Sequence, residues 1–199
     1  MSDFAKALAS GRNALDIEIA ALNKLASRIE ENIEPALKLI TSSKGRVIIS
    51  GIGKSGLVGA KIAATLSSTG TAAYFIHSTD ALHGDSGAIL ADDVIIAISN
   101  SGQTSEVVSF ASMVKSWGNK VIAITGKPES ELGRIADVVL DISFEKESDP
   151  NGLAPTTSTT LTIALGDALA AALITHKNFT VQDFGKRHPG GSLGKKSNG

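Results

Sequence analysis

Five short runs of β-branched and apolar residues, set between stretches of helical spacing, constrain this chain more than anything else in it. They are Arg46 to Ser50, Ala73 to Ile76, Val94 to Ile98, Val121 to Ile124 and Val138 to Ile142. Each is apolar almost throughout, the pattern of a strand covered on both faces. Between them, Leu57 to Ser68, Thr104 to Trp117 and Ser130 to Ala136 read as helices, so the chain is a series of strand–helix units. The expected fold is α/β: a five-stranded parallel sheet flanked by helices, a Rossmann-like three-layer sandwich. The second connection, Ser78 to Asp92, is less regular and reads as a loop with about one turn of helix.

Outside this core, Leu8, Leu15, Ile19, Leu22, Leu25 and Ile29 recur at helical steps, with Gly11 expected to interrupt the start. Glu34-Pro35 is read as opening a second, short helix that Gly45 closes. Past the last strand come a polar stretch, Ser143 to Pro155, a long small-residue helix, Thr156 to His176, and a Gly-rich tail, His188-Pro189-Gly190-Gly191-Ser192-Leu193-Gly194. A connection as long as 143–155 is commonly functional. The whole is expected to be one domain, 1–199, with N-terminal helices over 1–44, the α/β core over 45–176 and a C-terminal segment over 177–199.

Composition removes several classes of function. With 19 Lys and Arg against 20 Asp and Glu, no basic excess exists for nucleic acid. The absence of Cys excludes disulfides and thiolate chemistry. Charges interrupt the first 24 residues, and no apolar run is read as reaching the length of a membrane span. The expectation is a soluble cytoplasmic protein, with neither nucleic acid nor membrane as partner.

In a parallel sheet, ligands bind beyond the carboxyl ends of the strands, where helix N-termini present free N–H groups. Gly51-Ile52-Gly53-Lys54-Ser55-Gly56 follows the first strand and formally matches G-x-G-x-x-G. The second strand ends Phe75-Ile76-His77-Ser78, without the acidic residue that would hold a ribose, and a Walker A loop would need Gly at Ile48. What remains is an anion-binding turn with one lysine. After the third strand, Ser99-Asn100-Ser101-Gly102-Gln103-Thr104-Ser105-Glu106 places four hydroxyls before a helix. One or two would serve as caps; four suit a dianionic phosphate.

This loop resembles the phosphate loop of the sugar isomerase (SIS) domain. Gly53-Lys54-Ser55-Gly56, His83-Gly84-Asp85, Ile98 to Gly102, Gly152-Leu153-Ala154-Pro155-Thr156, and Asp183-Phe184 with His188-Pro189-Gly190-Gly191 are similar to stretches of the arabinose-5-phosphate isomerases, from about Ala14 to Lys195. Many members of that family continue into a pair of CBS domains, so the resemblance is to a short form, natural or shortened. It implies interconversion of D-ribulose 5-phosphate and D-arabinose 5-phosphate through an enediol, feeding 3-deoxy-octulosonate synthesis for lipopolysaccharide or capsule. It also implies a homotetramer with sites shared between subunits, and no cofactor.

By the same resemblance Lys54, Glu106, Glu147 and His188 are the catalytic positions, and Gly53, Ser55, His83, Ser99, Asn100, Ser101 and Thr104 bind substrate. His77 matches a position tied to metal binding, where an ion would inhibit. Enediol chemistry needs a base at the carbons, an acid–base group for the oxygens and a donor for developing negative charge. Lys54 suits the last role. His188 and Glu147 both suit the first, and the sequence does not choose between them. Asp85 is placed to orient the His83 imidazole. Two alternatives stay open: a catalytically silent sugar-phosphate sensor, and an isomerase of another phosphosugar.

Overall fold

The computed structural model describes residues 2–189. The five strands are β1 (Val47–Gly51), β2 (Ala73–His77), β3 (Val94–Ile98), β4 (Lys120–Thr125) and β5 (Val138–Asp141). All neighbours pair in parallel, in the order β2-β1-β3-β4-β5. The chain therefore winds outward from β1 in both directions, and the switch point lies between β1 and β3. Every residue of both central strands is buried.

Successive residues face opposite layers. Val47, Ile49, Ile96, Ile98, Ile122 and Ile124 pack under one helical layer. That layer holds α1 (Asp3–Ala26), α2 (Ile29–Ser42), α3 (Gly53–Ser68) and α7 (Thr157–His176). Ile48, Ile95, Ala97, Val121 and Ala123 pack under the other. It is built from α4 (Ser78–Leu82), α5 (Ser105–Ser116) and α6 (Glu131–Ile135). This is the three-layer sandwich expected from the uniformly apolar strands, whose boundaries fall within one residue of the expected ones, whereas α3 opens four residues before the expected Leu57.

The N-terminal helices depart from expectation. Gly11 does not interrupt α1, and Pro35 lies inside α2, which opens six residues earlier at Ile29. A proline here forfeits one backbone bond, but the face that buries Ala36 and Ile40 continues on both sides of it. Asn32, one turn before it, bonds Asp141 in both directions: its Nδ2 donates to the carbonyl at 2.8 Å, and the Asp141 N–H donates to its Oδ1 at 2.8 Å. That amide occupies part of the open edge of β5. Of the apolar stripe of α1, Leu25 is buried and Leu22 packs on the core, whereas Leu8, Leu15 and Ile19 are exposed.

Two further points depart from the reading of the sequence. A short helix, α8 (Val181–Arg187), opens on a reciprocal cap between Thr180 and Asp183, the S/T-x-x-D/E pattern that signals a helix start. In addition, α7 is long and apolar enough by length and composition to cross a membrane, contrary to the reading of the sequence. Leu161, Leu165, Leu169 and Leu173 line its inner stripe and are buried against the sheet, so the core accounts for that apolarity. Gly190 and the rest of the Gly-rich tail lie outside the described residues.

The packing of α7 on α3 sets the geometry of the site. Gly166 lies against Ile62, where a Cβ would meet the isoleucine at 2.6 Å, each residue nine positions into its helix. Lys177 Nζ donates to Thr71 Oγ1 at 2.8 Å just beyond both C-termini. The helices thus run parallel and level, so Gly53 and Thr157 begin them on the same edge of the sheet.

Candidate active site

Three helices present N-termini at the carboxyl edge, and they are finished differently. Ile52 precedes α3 and has no side-chain cap to give, while Gly53 takes a φ of 56°, a left-handed turn that favours glycine. Thr104 precedes α5 and does not cap it either. Its hydroxyl bonds Ser99 Oγ at 2.8 Å. In contrast, α7 is closed by Glu147, whose Oε2 accepts from the N–H groups of Thr156 at 2.9 Å and Ser158 at 3.1 Å, and from the Thr156 hydroxyl at 3.2 Å. One terminus already holds its anion, and two do not.

The open pair faces the switch point. A cleft of about 250 Å³ is lined by Ser55 from α3 and by Ser99, Asn100, Ser101 and Thr104 from the loop after β3. Hydrogen bonds fix that loop: Ser99 Oγ accepts from the Gly102 N–H at 3.1 Å, and Ser101 Oγ accepts from Gln103 at 3.2 Å. Gly102 has a φ of 62° and stands where any side chain would collide with Ser130. The Asn100 Oδ1 is buried and has no partner among the described residues. Hydroxyls, free N–H groups and two positive dipole ends at one point make a seat for a phosphate.

Beside it, a second cleft of about 480 Å³ is lined by Gly53, Lys54, Leu57, Phe75 and His77. Lys54 is exposed and makes no ion pair among the described residues. Glu106, in the first turn of α5, is held below the ordinary carboxylate range by its own backbone N–H and the Ser105 hydroxyl, and the His77 imidazole pulls the same way. Phe75 and His77 line the second cleft, so the end of β2 borders the site. Among the described residues no three His, Asp or Glu side chains converge, so His77 stands without a ligand set for a resident metal ion within one chain.

The other two candidate histidines, His83 and His188, line neither cleft. His83 is exposed at the end of α4, and no hydrogen bond joins it to Asp85 among the described residues, so Asp85 does not orient its imidazole as expected. His188 closes α8. Its neighbour Arg187 lies over the Phe179 ring, 5.6 Å from the centroid, and Phe179 packs on Gly70 just before β2. These contacts tie the end of α8 to the amino edge, and strands about 16 Å long separate that edge from Lys54.

The sequence pattern of the SIS domain matches residues 39–172. The chain belongs to the SIS domain family. Of its relatives, arabinose 5-phosphate isomerase KdsD of Pseudomonas aeruginosa is 48% identical over 187 residues, covering 94% of this chain and 57% of that protein. A probable arabinose 5-phosphate isomerase of Haemophilus influenzae is 49% identical over 93% of this chain and 55% of its own length. The chain thus spans little more than half the length of these curated relatives. A solved SIS-fold structure from Escherichia coli CFT073, in complex with A5P, superposes with a TM-score of 0.89 at 37% identity, over 95% of this chain and all of that one.

Proposed function

We propose that this SIS domain is an aldose–ketose isomerase that interconverts D-ribulose 5-phosphate and D-arabinose 5-phosphate, supplying an eight-carbon acid sugar for lipopolysaccharide or capsule. The observation that carries the reading is the uncapped pair of helix N-termini at the hydroxyl-lined switch point, with Lys54 and Glu106 at its rim. The relatives' names and the A5P bound in the Escherichia coli structure support the choice of sugar.

In this mechanism Ser99, Ser101, Thr104 and the N–H groups of α3 and α5 hold the phosphate, which fixes the carbon chain beside Lys54. A base removes a proton from the carbon next to the carbonyl, and the Lys54 ammonium steadies the oxygen on which charge develops. Glu106 passes a proton between the two oxygens. Glu147 is anchored at the α7 N-terminus of its own chain by three donors, whereas His188 has a ring nitrogen with no described partner, so His188 is assigned as the base.

His188 sits toward the amino edge of its own chain, so the base at each site comes from a neighbouring subunit. Apolar surface for such an assembly is present: Phe4, Leu8, Leu15 and Ile19 on α1 and Leu57 on α3 are each more than half exposed. The assembly in this reading is a homotetramer with shared sites, as the family resemblance implies.

The test is to incubate the protein with ketose phosphates of five, six and seven carbons and identify aldose products by NMR in deuterated water. Arabinose 5-phosphate carrying deuterium next to the aldehyde is expected from ribulose 5-phosphate. Turnover of a longer sugar alone would overturn the substrate assignment, and no turnover of any would leave a binding module.

A further inference from the structure

His188 closes α8 in a way that fixes where its ring proton sits. The last turn of a helix leaves carbonyls without intrahelical donors. Here the His188 backbone N–H donates to the Gly185 carbonyl at 3.1 Å, and imidazole Nδ1 lies 2.9 Å from the carbonyl oxygen of Phe184. A carbonyl oxygen only accepts, so the hydrogen in that bond belongs to Nδ1. A neutral imidazole carries one N–H, and placing it there leaves the lone pair on Nε2. The ring is held from one face as well. Phe184 stacks on it with centroids 3.9 Å apart and planes 17° from parallel. Residues four apart meet on one side of a helix, so a single residue supplies both the carbonyl and the stacking face.

We propose that Phe184 is the positioning residue of His188: its carbonyl selects the Nδ1–H tautomer and its ring fixes the imidazole plane, making Nε2 the proton-accepting atom. This rests on the reading of His188 as the base. In the step itself, the Nε2 lone pair takes the proton from the carbon beside the carbonyl. The C–H electron pair becomes the carbon–carbon double bond of the enediolate, and the carbonyl π pair moves onto oxygen. Return of the proton to the other carbon, with one proton gained by one oxygen and lost by the other, restores the Nδ1–H imidazole. Free histidine side chains favour hydrogen on Nε2, a form in which that nitrogen cannot accept. The helix end therefore sets the reactive form before substrate arrives.

Nitrogen-15 NMR of the labelled full chain reads the tautomer directly, at a pH about two units above the ordinary imidazole value of about 6.5. A His188→Gln spectrum assigns the signal among the four histidines. A pyridine-type Nε2 with a pyrrole-type Nδ1 is expected, and the reverse pattern overturns the tautomer assignment. Phe184→Leu keeps the carbonyl and an apolar side chain but removes the aromatic face, so kcat is expected to fall about tenfold with KM changed by less than about twofold. Phe184→Tyr should restore it. A lower thermal midpoint with unchanged kcat would make Phe184 only an anchor of α8 and overturn its positioning role. The spectrum does not depend on turnover, so an inactive wild type with the expected tautomer would defeat the isomerase reading alone.

Discussion

Ser148 donates its hydroxyl to the Glu18 carboxylate at 2.9 Å, and this bond joins the middle of α1 to the residue that follows Glu147. The other Glu18 oxygen accepts from Thr160 at 3.1 Å, one turn into α7. One carboxylate thus holds both ends of the segment whose Glu147 closes the α7 N-terminus. Hydrogen bonds to a charged group contribute about 1.5–3 kcal/mol each, net of the water they replace.

Glu18→Ala should therefore lower stability by about 2 kcal/mol and loosen the loop that carries Glu147. Glu18→Gln can still accept one hydroxyl and donate to the other, and should recover most of the loss. Denaturant unfolding of the two variants checks this. Equal losses in both would show that charge, and not the paired geometry, is what Glu18 supplies.

The phosphate seat makes a separate demand. Ser99→Ala, Ser101→Ala and Thr104→Ala each remove one hydroxyl from the cleft at the switch point. Loss of a bond worth about 1.4 kcal/mol raises KM about tenfold, and thermal midpoints should move little for the more exposed Ser101. Ser99 also holds the Gly102 N–H and is buried, so its variant should lose stability too. Steady-state kinetics with the phosphorylated sugar, beside binding of its unphosphorylated counterpart, tests the seat. Equal affinity for both would remove it.

Much of this arrangement was legible because it depends on short-range pattern. Uniformly apolar strands announced a doubly covered parallel sheet, and that topology alone directs attention to the loops after β1 and β3. The roles that stayed hidden depend on distant pairings. Glu147 was read only as a candidate base, and its closing of α7 stayed hidden because its three donors come from 156–158 only after the chain has turned. Glu18 lay on a helix read for its apolar stripe, while its partners are more than 100 residues away. Pro35 misled because a local helix-start preference was outweighed by the buried face of α2 and the Asn32 bonds to Asp141. Only α8 had a local signal that went unused, the Thr180-to-Asp183 cap.

Acid should weaken the fold at the amino edge of the sheet. The Asp93 side chain is fully buried and Arg46 is about one-third exposed, their Nη2 and Oδ2 atoms 2.6 Å apart. Burial pushes the Asp93 carboxyl up, but the Arg46 guanidinium and the N–H groups of Leu90 and Arg46 outweigh it and hold the group below its ordinary range. A carboxylate whose folded pKa is depressed stabilises fully above its unfolded value of about 3.9, and that contribution is lost as pH falls through the folded value. Asp93→Ala should cost about 3 kcal/mol at neutral pH, because it leaves a guanidinium without its partner. Unfolding measured from pH 7 down to about pH 2 should show the gap between wild type and variant closing below about pH 4. A gap constant across that range would mean that packing, and not the ion pair, is what the variant loses.

The sharing of sites between subunits gives the most demanding prediction. Lys54 stands at the carboxyl edge on the first turn of α3, and His188 is tied through Arg187 and Phe179 to the amino edge of the same chain. If both act on one sugar, they come from different chains. Lys54→Ala and His188→Ala should each depress kcat by about a hundredfold or more as pure assemblies. Mixed under conditions of subunit exchange, a Lys54→Ala chain still offers an intact His188, and a His188→Ala chain an intact Lys54. With random mixing in equal amounts, about one site in four regains both groups, so activity should return to about a quarter of the wild-type value. Mass spectrometry of the intact assemblies establishes that exchange occurred. Inactivity in assemblies shown to be mixed would place both groups within one chain, and α8 would then have to leave the amino edge when substrate binds.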